Sequence, residues 1–318
     1  MLIAIDVLPD GARPFDVVGL GENSLDLVAV VDTYPPRNSK APIRQLRQLP
    51  GGQVATAMVA LSRLGWRARY MGRFGADEYG RIGLDSLVRE GVDVSFAQQV
   101  PEATSHFSLV LVDEERGDRT VLWHHHPALS FPADAVPVDA VQSGRVLYVD
   151  ATDPQAAARA VSIARASAMV TVADVEEVGA GVEALLEQVD VIIAAEPFAR
   201  TLTGRGSAGS ALEALAARFQ SAAVVCITLG EEGSLARSKG QEIRTPSFRV
   251  TCVDSTGAGD AFRAGFIAAW LQEGRDAQLE EVLRMANATA ALNCRAHGAR
   301  TALPTKDEVK AVLETGRV

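Results

Sequence analysis

The sequence predicts an α/β protein: a parallel-sheet core with helices on both faces and a small β-sheet lid. Short Val/Ile/Leu runs alternate with amphipathic stretches along the 318 residues. The runs are apolar throughout, as strands covered on both faces are. Two polar, β-rich stretches interrupt the alternation and supply the lid.

From "FDVVGLG" onward, "RARYMGRFG", "RVLYVDA", "AMVTVADV", "VDVIIAAE" and "AAVVCITLG" read as buried strands, each short and bounded by Gly, Asp or Pro. Residues 154–166, 180–187 and 207–219 carry Ala, Leu and Val at helical spacing, which makes right-handed βαβ units. Residues 29–49 and 103–126 read as half-polar strands, the second a hairpin turning at "DEERGD". With no helix between their strands, they predict a lid built from two separated insertions over one edge of the main domain. Farther on, a β-rich run is expected to end at Val253 and a helix to span Ala258 to Gln272; "ANATAALNCRAHGART" reads as a small-residue helix closing on Gly298.

The length allows one large α/β domain or two ordinary ones, and 47% hydrophobic content supports a sizeable core. A net charge of -9 argues against nucleic acid as a partner and for a small solute. Cys226, Cys252 and Cys294 lie far apart in apolar segments, which suggests neither a disulfide framework nor a CxxC metal site and fits a reducing cytoplasm. "MLIAIDVLPDG" lacks the basic region of a signal peptide, and no run reaches the roughly 20 apolar residues of a membrane span, so a soluble, cytoplasmic protein is expected.

The chemistry concentrates in "DSTGAGDAFRAGF", residues 254–266. Gly257 and Gly259 let the backbone approach a ligand closely and leave N–H groups at a helix start aimed outward, an anion hole. Asp260 stands in the first helical turn, where the helix dipole favours its charge but a bound anion competes with it. A carboxylate there makes sense as the base that takes a proton from a hydroxyl attacking a phosphoryl group. An ordinary capping Asp after a Gly turn is the simpler alternative; the strand, turn, acid and small-residue helix together outweigh it.

"DSTGAGDAFRAGF" resembles, without a gap, the C-terminal signature of the ribokinase-like (PfkB-type) carbohydrate kinases. "GGQVATAMVALSRLGWRARYMGRFGADEYG" resembles their N-terminal signature, and "GVDVS", "ARTLTG" and "TLGEEG" follow in the expected order. The resemblance covers nearly the whole chain and implies one kinase domain over 1–318 with a lid, using ATP and Mg2+. It implies Asp260 as the catalytic base, with the N–H groups of Gly257, Ala258 and Gly259 on the transferring phosphoryl group. Asp26 in "GENSLD" matches the acid that grips sugar hydroxyls, and Gly51 and Gly52 the turn against the sugar. Where ribokinase has Asn after the Gly pair, this chain offers Gln53 and Thr56, which keeps a polyol site and puts ribose in doubt. On the nucleotide side the resemblance places Thr228, Gly230 and Gly233, then Asn287 and the turn at Gly298. A monovalent cation beside the Asp254 turn is known in some relatives.

The family's Asn-x-x-Glu metal motif is missing: "AAEPFARTLTG" has Ala195 and Phe198 at those places. Glu196 is the acid left to act on Mg2+ through water, or simply to favour a helix start before Pro197; the metal should arrive with ATP in any case. "WHHHP" does not read as zinc, because His124 and His126 share a strand face while His125 points away; a His or Arg119 facing the sugar fits better. The polar pattern looks most like the ketohexokinase and sulfofructose kinase branch, which implies a ketose such as fructose or 6-deoxy-6-sulfofructose. Lys40, Arg44 and Arg119 are the candidates for a sulfonate. A nucleoside kinase, or another sugar or sugar-acid kinase of the same family, remains open, and a sugar sensor on a kinase fold is the non-enzyme alternative. "DVVGLGENSLD" lacks the third glycine of a dinucleotide fingerprint and no helix follows it. The lid's exposed strands suit a homodimer.

Overall fold

A computed structural model describes residues 1–3, 5–115 and 119–318, without the side chains of Arg119 and Arg275. Its main sheet has eight strands. Six are parallel, in the order β4 (Ala68–Met71), β1 (Val17–Leu20), β9 (Val146–Val149), β10 (Val170–Val175), β11 (Val191–Ala195) and β12 (Val224–Thr228). An antiparallel pair, β13 (Ser234–Ser238) and β14 (Gln241–Thr245), extends the edge beyond β12.

Successive residues of each central strand enter opposite cores, which explains their unbroken apolarity. In β9, Val146 and Tyr148 face the core of α1 (Gln53–Arg63), α8 (Ala258–Glu273), α9 (Leu279–Asn293) and α10 (Lys306–Thr315). Leu147 and Val149 face the core of α3 (Val138–Gln142), α4 (Pro154–Ala166), α5 (Val182–Leu186), α6 (Glu196–Thr203) and α7 (Ala208–Arg218). Local signals set the helix starts. Pro154 opens α4 after Asp153, Ser207 caps α7, and Thr305 with Glu308 forms a capping box on α10.

The lid is a four-stranded sheet in the order β3 (Gln45–Gly51), β2 (Ser24–Val31), β7 (Phe107–Asp113) and β8 (Arg119–His124). Its two contributions join through the parallel pair β2–β7, while β2–β3 and β7–β8 are antiparallel. The first lid strand begins earlier than the 29–49 expected, and Asp32 to Arg44 is irregular. Part of the "DEERGD" turn lies outside the described residues.

Three expectations need correction. "RARYMGRFG" is two strands: Gly72 ends β4, and β5 (Arg73–Gly75) pairs with β6 (Gln98–Val100) in a separate ribbon, beside α2 (Glu78–Arg89). A side chain at Gly72 would overlap the Tyr70 hydroxyl and press on the Gly21 carbonyl, so the chain turns where only hydrogen fits. The run before Val253 is no strand, because after Thr245 the backbone leaves the sheet edge; Val253 N–H instead donates to the Cys294 carbonyl. The α9 helix ends at Asn293, with Gly298 in the turn beyond it. No helix among the described residues is long and apolar enough to cross a membrane.

Candidate active site

The C-terminal ends of β1, β9 and β10 meet the lid and the start of α8 around a cleft of about 700 Å³. That end of an open parallel sheet is where ligands bind. Glu22 follows β1, Thr152 follows β9 and Glu176 follows β10. Asp26, Ser108 and Trp123 come from the lid, and Gly257, Gly259 and Asp260 from the start of α8.

Gly257 caps α8 with a left-handed φ of 76° and no side-chain cap. A Cβ at this position would sit 2.5 Å from the Ala299 carbonyl oxygen, so the turn requires glycine. Ala258 N–H closes the turn onto the Ser255 carbonyl at 3.1 Å, whereas Gly257 and Gly259 N–H have no partner among the described residues. Those two donors, at the positive end of a helix, form a place for an anion. The loop is held from behind. The Asp254 carboxylate accepts from Thr256 N, Thr256 Oγ1 and Gly298 N at 2.9, 2.7 and 2.8 Å. Buried Asn293 donates to the carbonyls of Thr256 and Ala299.

Carboxylate oxygens of Asp174, Glu176 and Asp260 lie within 4.8 Å of one another. Arg263, one turn after Asp260, reaches Asp174 at 2.6 Å and Glu176 at 3.4 Å. The Tyr148 hydroxyl donates to Asp174 at 2.7 Å. Burial, and then the charges of Glu176 and Asp174, hold the Asp260 carboxyl well above the ordinary range, with Arg263 opposing. A carboxylate with raised proton affinity beside an anion site can accept a hydroxyl proton. Asp174 is held more closely, by Arg263 and Tyr148, than Glu176, which is 3.4 Å from Arg263 and half exposed and is the acid of this cluster that fits a hydrated Mg2+. Glu196 is not in the cluster; it starts α6 and lies 3.6 Å from Arg200 on its own helix.

At the lid end, buried Asp26 accepts from Ser108 Oγ at 2.6 Å and Ser24 Oγ at 3.3 Å. Burial raises its carboxyl, against those bonds and the Arg300 charge. Asp26, Ser108 and Trp123 are in register across β2, β7 and β8 and share the face that lines the cleft. Gly51 and Gly52 pass so close that a Cβ would stand 2.6 Å from Asp26 Oδ2 in the first case and 2.3 Å from Asn23 Cα in the second. Gln53 lines the cleft and its Nε2 is buried without a partner among the described residues. Thr56, one turn later, points into the core and accepts from Arg300 Nε at 3.1 Å. Arg300 also donates to Ser86 Oγ and the Gly51 carbonyl, tying the turn after α9 to the Gly51 turn. The Arg119 side chain is outside the described residues.

Thr228 ends β12, and Gly230 and Gly233 turn it into β13 with φ of 58° and 93°. Asn287 is buried and donates to Ser234 Oγ at 3.1 Å and the Thr245 carbonyl at 3.2 Å, fastening α9 to β13 and β14. Gly298, with φ of 90°, packs against Leu49 of the lid. None of these five lines the 700 Å³ cleft.

Sequence reasoning missed Asp174, Glu176, Arg263, Arg300 and Glu22, and it left open which histidine of "WHHHP" faces the cleft, which is His125. Two had a visible signal: Asp174 is an acid inside the apolar run "MVTVADV", and Arg263 a cation on the apolar α8 at helical spacing from Asp260.

The profile of the pfkB family carbohydrate kinases matches residues 15–306. The chain belongs to the pfkB family of carbohydrate kinases. This ATP-dependent sugar kinase is 32% identical over 305 residues to a fructokinase of Klebsiella pneumoniae, covering 90% of this chain and 97% of the relative. The kinase superposes on the Arabidopsis thaliana ribokinase complexed with ribose and ATP with a TM-score of 0.81 at 20% identity, covering 94% and 99% of the two chains. An Escherichia coli structure in complex with ATP and Mg2+ matches at a TM-score of 0.81 and 21% identity, covering 94% and 99%. The fold is ribokinase-like.

Proposed function

We propose that the kinase transfers the γ-phosphoryl group of ATP to the hydroxymethyl group of a ketose, with fructose as the first acceptor to test. The observation that carries this reading is one cleft with Asp260 and two unpartnered backbone donors at one wall, and Asp26 with its serines on the lid wall. The likeness to a fructokinase supports the choice of sugar.

Asp26, Ser108 and Gln53 hold acceptor hydroxyls, and the Gly51–Gly52 turn lies against the sugar ring. Asp260 takes the proton from the attacking oxygen. The N–H groups of Gly257 and Gly259 receive charge on the transferring group. Glu176 would orient the waters of an Mg2+ that arrives with ATP, and the bound ion would supply positive charge to the phosphates. Thr228, Gly230, Gly233, Asn287 and Gly298 shape the nucleotide side, and the lid closes on the sugar to exclude water. Leu46 and Leu122, exposed on the lid face turned from Asp26, are the surface through which a homodimer forms.

For 6-deoxy-6-sulfofructose the sulfonate needs a cation, and Arg44 is held by a two-point ion pair to Asp32. Fructose needs none. The test follows ADP release with ATP and Mg2+ across fructose, ribose, 6-deoxy-6-sulfofructose and adenosine, in potassium and in a buffer free of small monovalent cations. Fructose is expected to give the highest kcat/KM. A higher value for adenosine moves the assignment to a nucleoside kinase, and no turnover with any acceptor moves it to a sensor.

A further inference from the structure

His125 follows β8 and lines the cleft next to Trp123, with no part in the steps described above. Its Nε2 lies 2.9 Å from Glu22 Oε1. Its ring stacks on buried His106 with centroids 4.1 Å apart and planes 14° apart, and Trp123 leans on it at 4.8 Å. Glu22 belongs to the loop after β1, so this bond joins the main sheet to the lid at the cleft wall.

Ligand-type atoms of Glu22, His106 and His125 lie within 4.8 Å of one another. A metal is nevertheless a poor fit. Imidazole lone pairs lie in the ring planes, and two nearly parallel planes stacked face to face do not converge on one ion at the about 2.0–2.1 Å a zinc–nitrogen bond needs. What the stack does is fix one ring orientation, with Nε2 committed to Glu22 and Nδ1 left without a partner among the described residues. Burial keeps His106 uncharged, its proton affinity pushed down to about 4, while the Glu22 bond raises that of His125.

Charge on the cleft wall is one-sided. Glu22, Asp26, Glu176, Glu177 and Asp260 are all acidic, and His125 is the one basic side chain among the described lining residues. Glu22 already balances it. An acceptor carrying its own negative charge would meet this field with no free cation among the described lining residues, whereas an uncharged polyol would meet a ready set of hydrogen-bonding groups.

We propose that His125, fixed by Glu22 and His106, reads acceptor hydroxyls away from the reacting end, and that the Glu22–His125 pair restricts the cleft to uncharged polyhydroxy acceptors against sugar acids, phosphates and sulfonates. The inference rests on the reading of this cleft as the acceptor site.

Steady-state kinetics of His125→Ala, His125→Gln and Glu22→Gln test it, with thermal unfolding as a check on folding. His125→Ala is expected to raise KM for fructose about 10-fold, the scale of one lost hydrogen bond, with KM for ATP unchanged. His125→Gln, which keeps a polar edge, should recover part of that loss. Glu22→Gln takes one carboxylate off the acidic wall and should raise kcat/KM for fructose 6-phosphate and gluconate, relative to fructose, by about tenfold. A folded His125→Ala enzyme with unchanged fructose KM overturns the proposal, as does a Glu22→Gln enzyme with an unchanged charged-to-neutral ratio. If His125→Ala does not fold, the other two variants decide. Wild-type protein without turnover on any neutral sugar overturns the acceptor-site reading itself and this inference with it.

Discussion

Arg263 and Asp174 lie 2.6 Å apart with both side chains sealed from solvent, and Arg263 is one helical turn from Asp260. The guanidinium thereby offsets an acidic group that would otherwise leave three carboxylates packed together. Removing it strands Asp174 in the core. Arg263→Met should cost about 3–5 kcal/mol in urea unfolding, and adding Asp174→Asn should return a good part of that. A single variant as stable as wild type would show that the pair is dispensable.

Asp260→Asn keeps the shape of the site and removes the proton acceptor. We expect kcat to fall by about 100- to 10,000-fold while calorimetric binding of the sugar persists. Near wild-type kcat would sink the base assignment.

Gly257→Ala forces a Cβ onto the Ala299 carbonyl at a left-handed φ. The turn must shift, at a cost of about 1–3 kcal/mol, and the donors of Gly257 and Gly259 shift with it. The expected result is a fall in kcat with little change in KM for the sugar, measured side by side with the wild type. Unchanged kcat would mean that these donors are not aimed at the reacting group.

Asp150 sits buried at the end of β9 and accepts from the N–H groups of Glu22 and Thr152 at 2.7 and 3.0 Å. Burial, then the Glu22 charge, raises its carboxyl to about 8, from 3.8 in the unfolded chain. Between those values the folded protein holds a proton that the unfolded chain has released. The contribution of Asp150 to stability is therefore fully present below pH 3.8 and is lost as pH rises through about 8. Relative to wild type, Asp150→Asn should gain stability as pH is raised across that window in denaturant unfolding. A difference that stays flat with pH would contradict the assignment.

Lid closure predicts that fructose slows proteolysis within 103–126, because the strands then pack over the cleft. Cleavage at the same rate with and without sugar would count against closure.

The central strands were legible because burial on both faces demands continuous apolarity, which "AMVTVADV" and "VDVIIAAE" display. The Gly257 turn and Asp260 were legible for a related reason: a left-handed cap beside a carbonyl admits only glycine, so local chemistry is written in local residues. The run before Val253 misled because β-type residues read as a strand whether or not a neighbouring strand exists to pair with them. Thr56 misled in another way, since helical spacing from the glycine pair does not say which side of α1 meets the cleft and which meets Arg300.

By itself, then, the sequence determined the α/β architecture, the lid's two separate sources and the acid–glycine start of α8, all of which depend on neighbours within a few residues or on a strand's own period. Only the tertiary structure decided that Asp174 and Arg263 stand beside Asp260, that Arg300 clamps the Gly51 turn, and that Glu22 meets His125 across the cleft. Those contacts join residues separated by 89, 249 and 103 positions, or less directly through them, and no local pattern encodes which distant partner a charged side chain finds. Chain folding selects that partner, because a buried charge is tolerated only where an opposite charge or a set of hydrogen-bonding groups arrives with it.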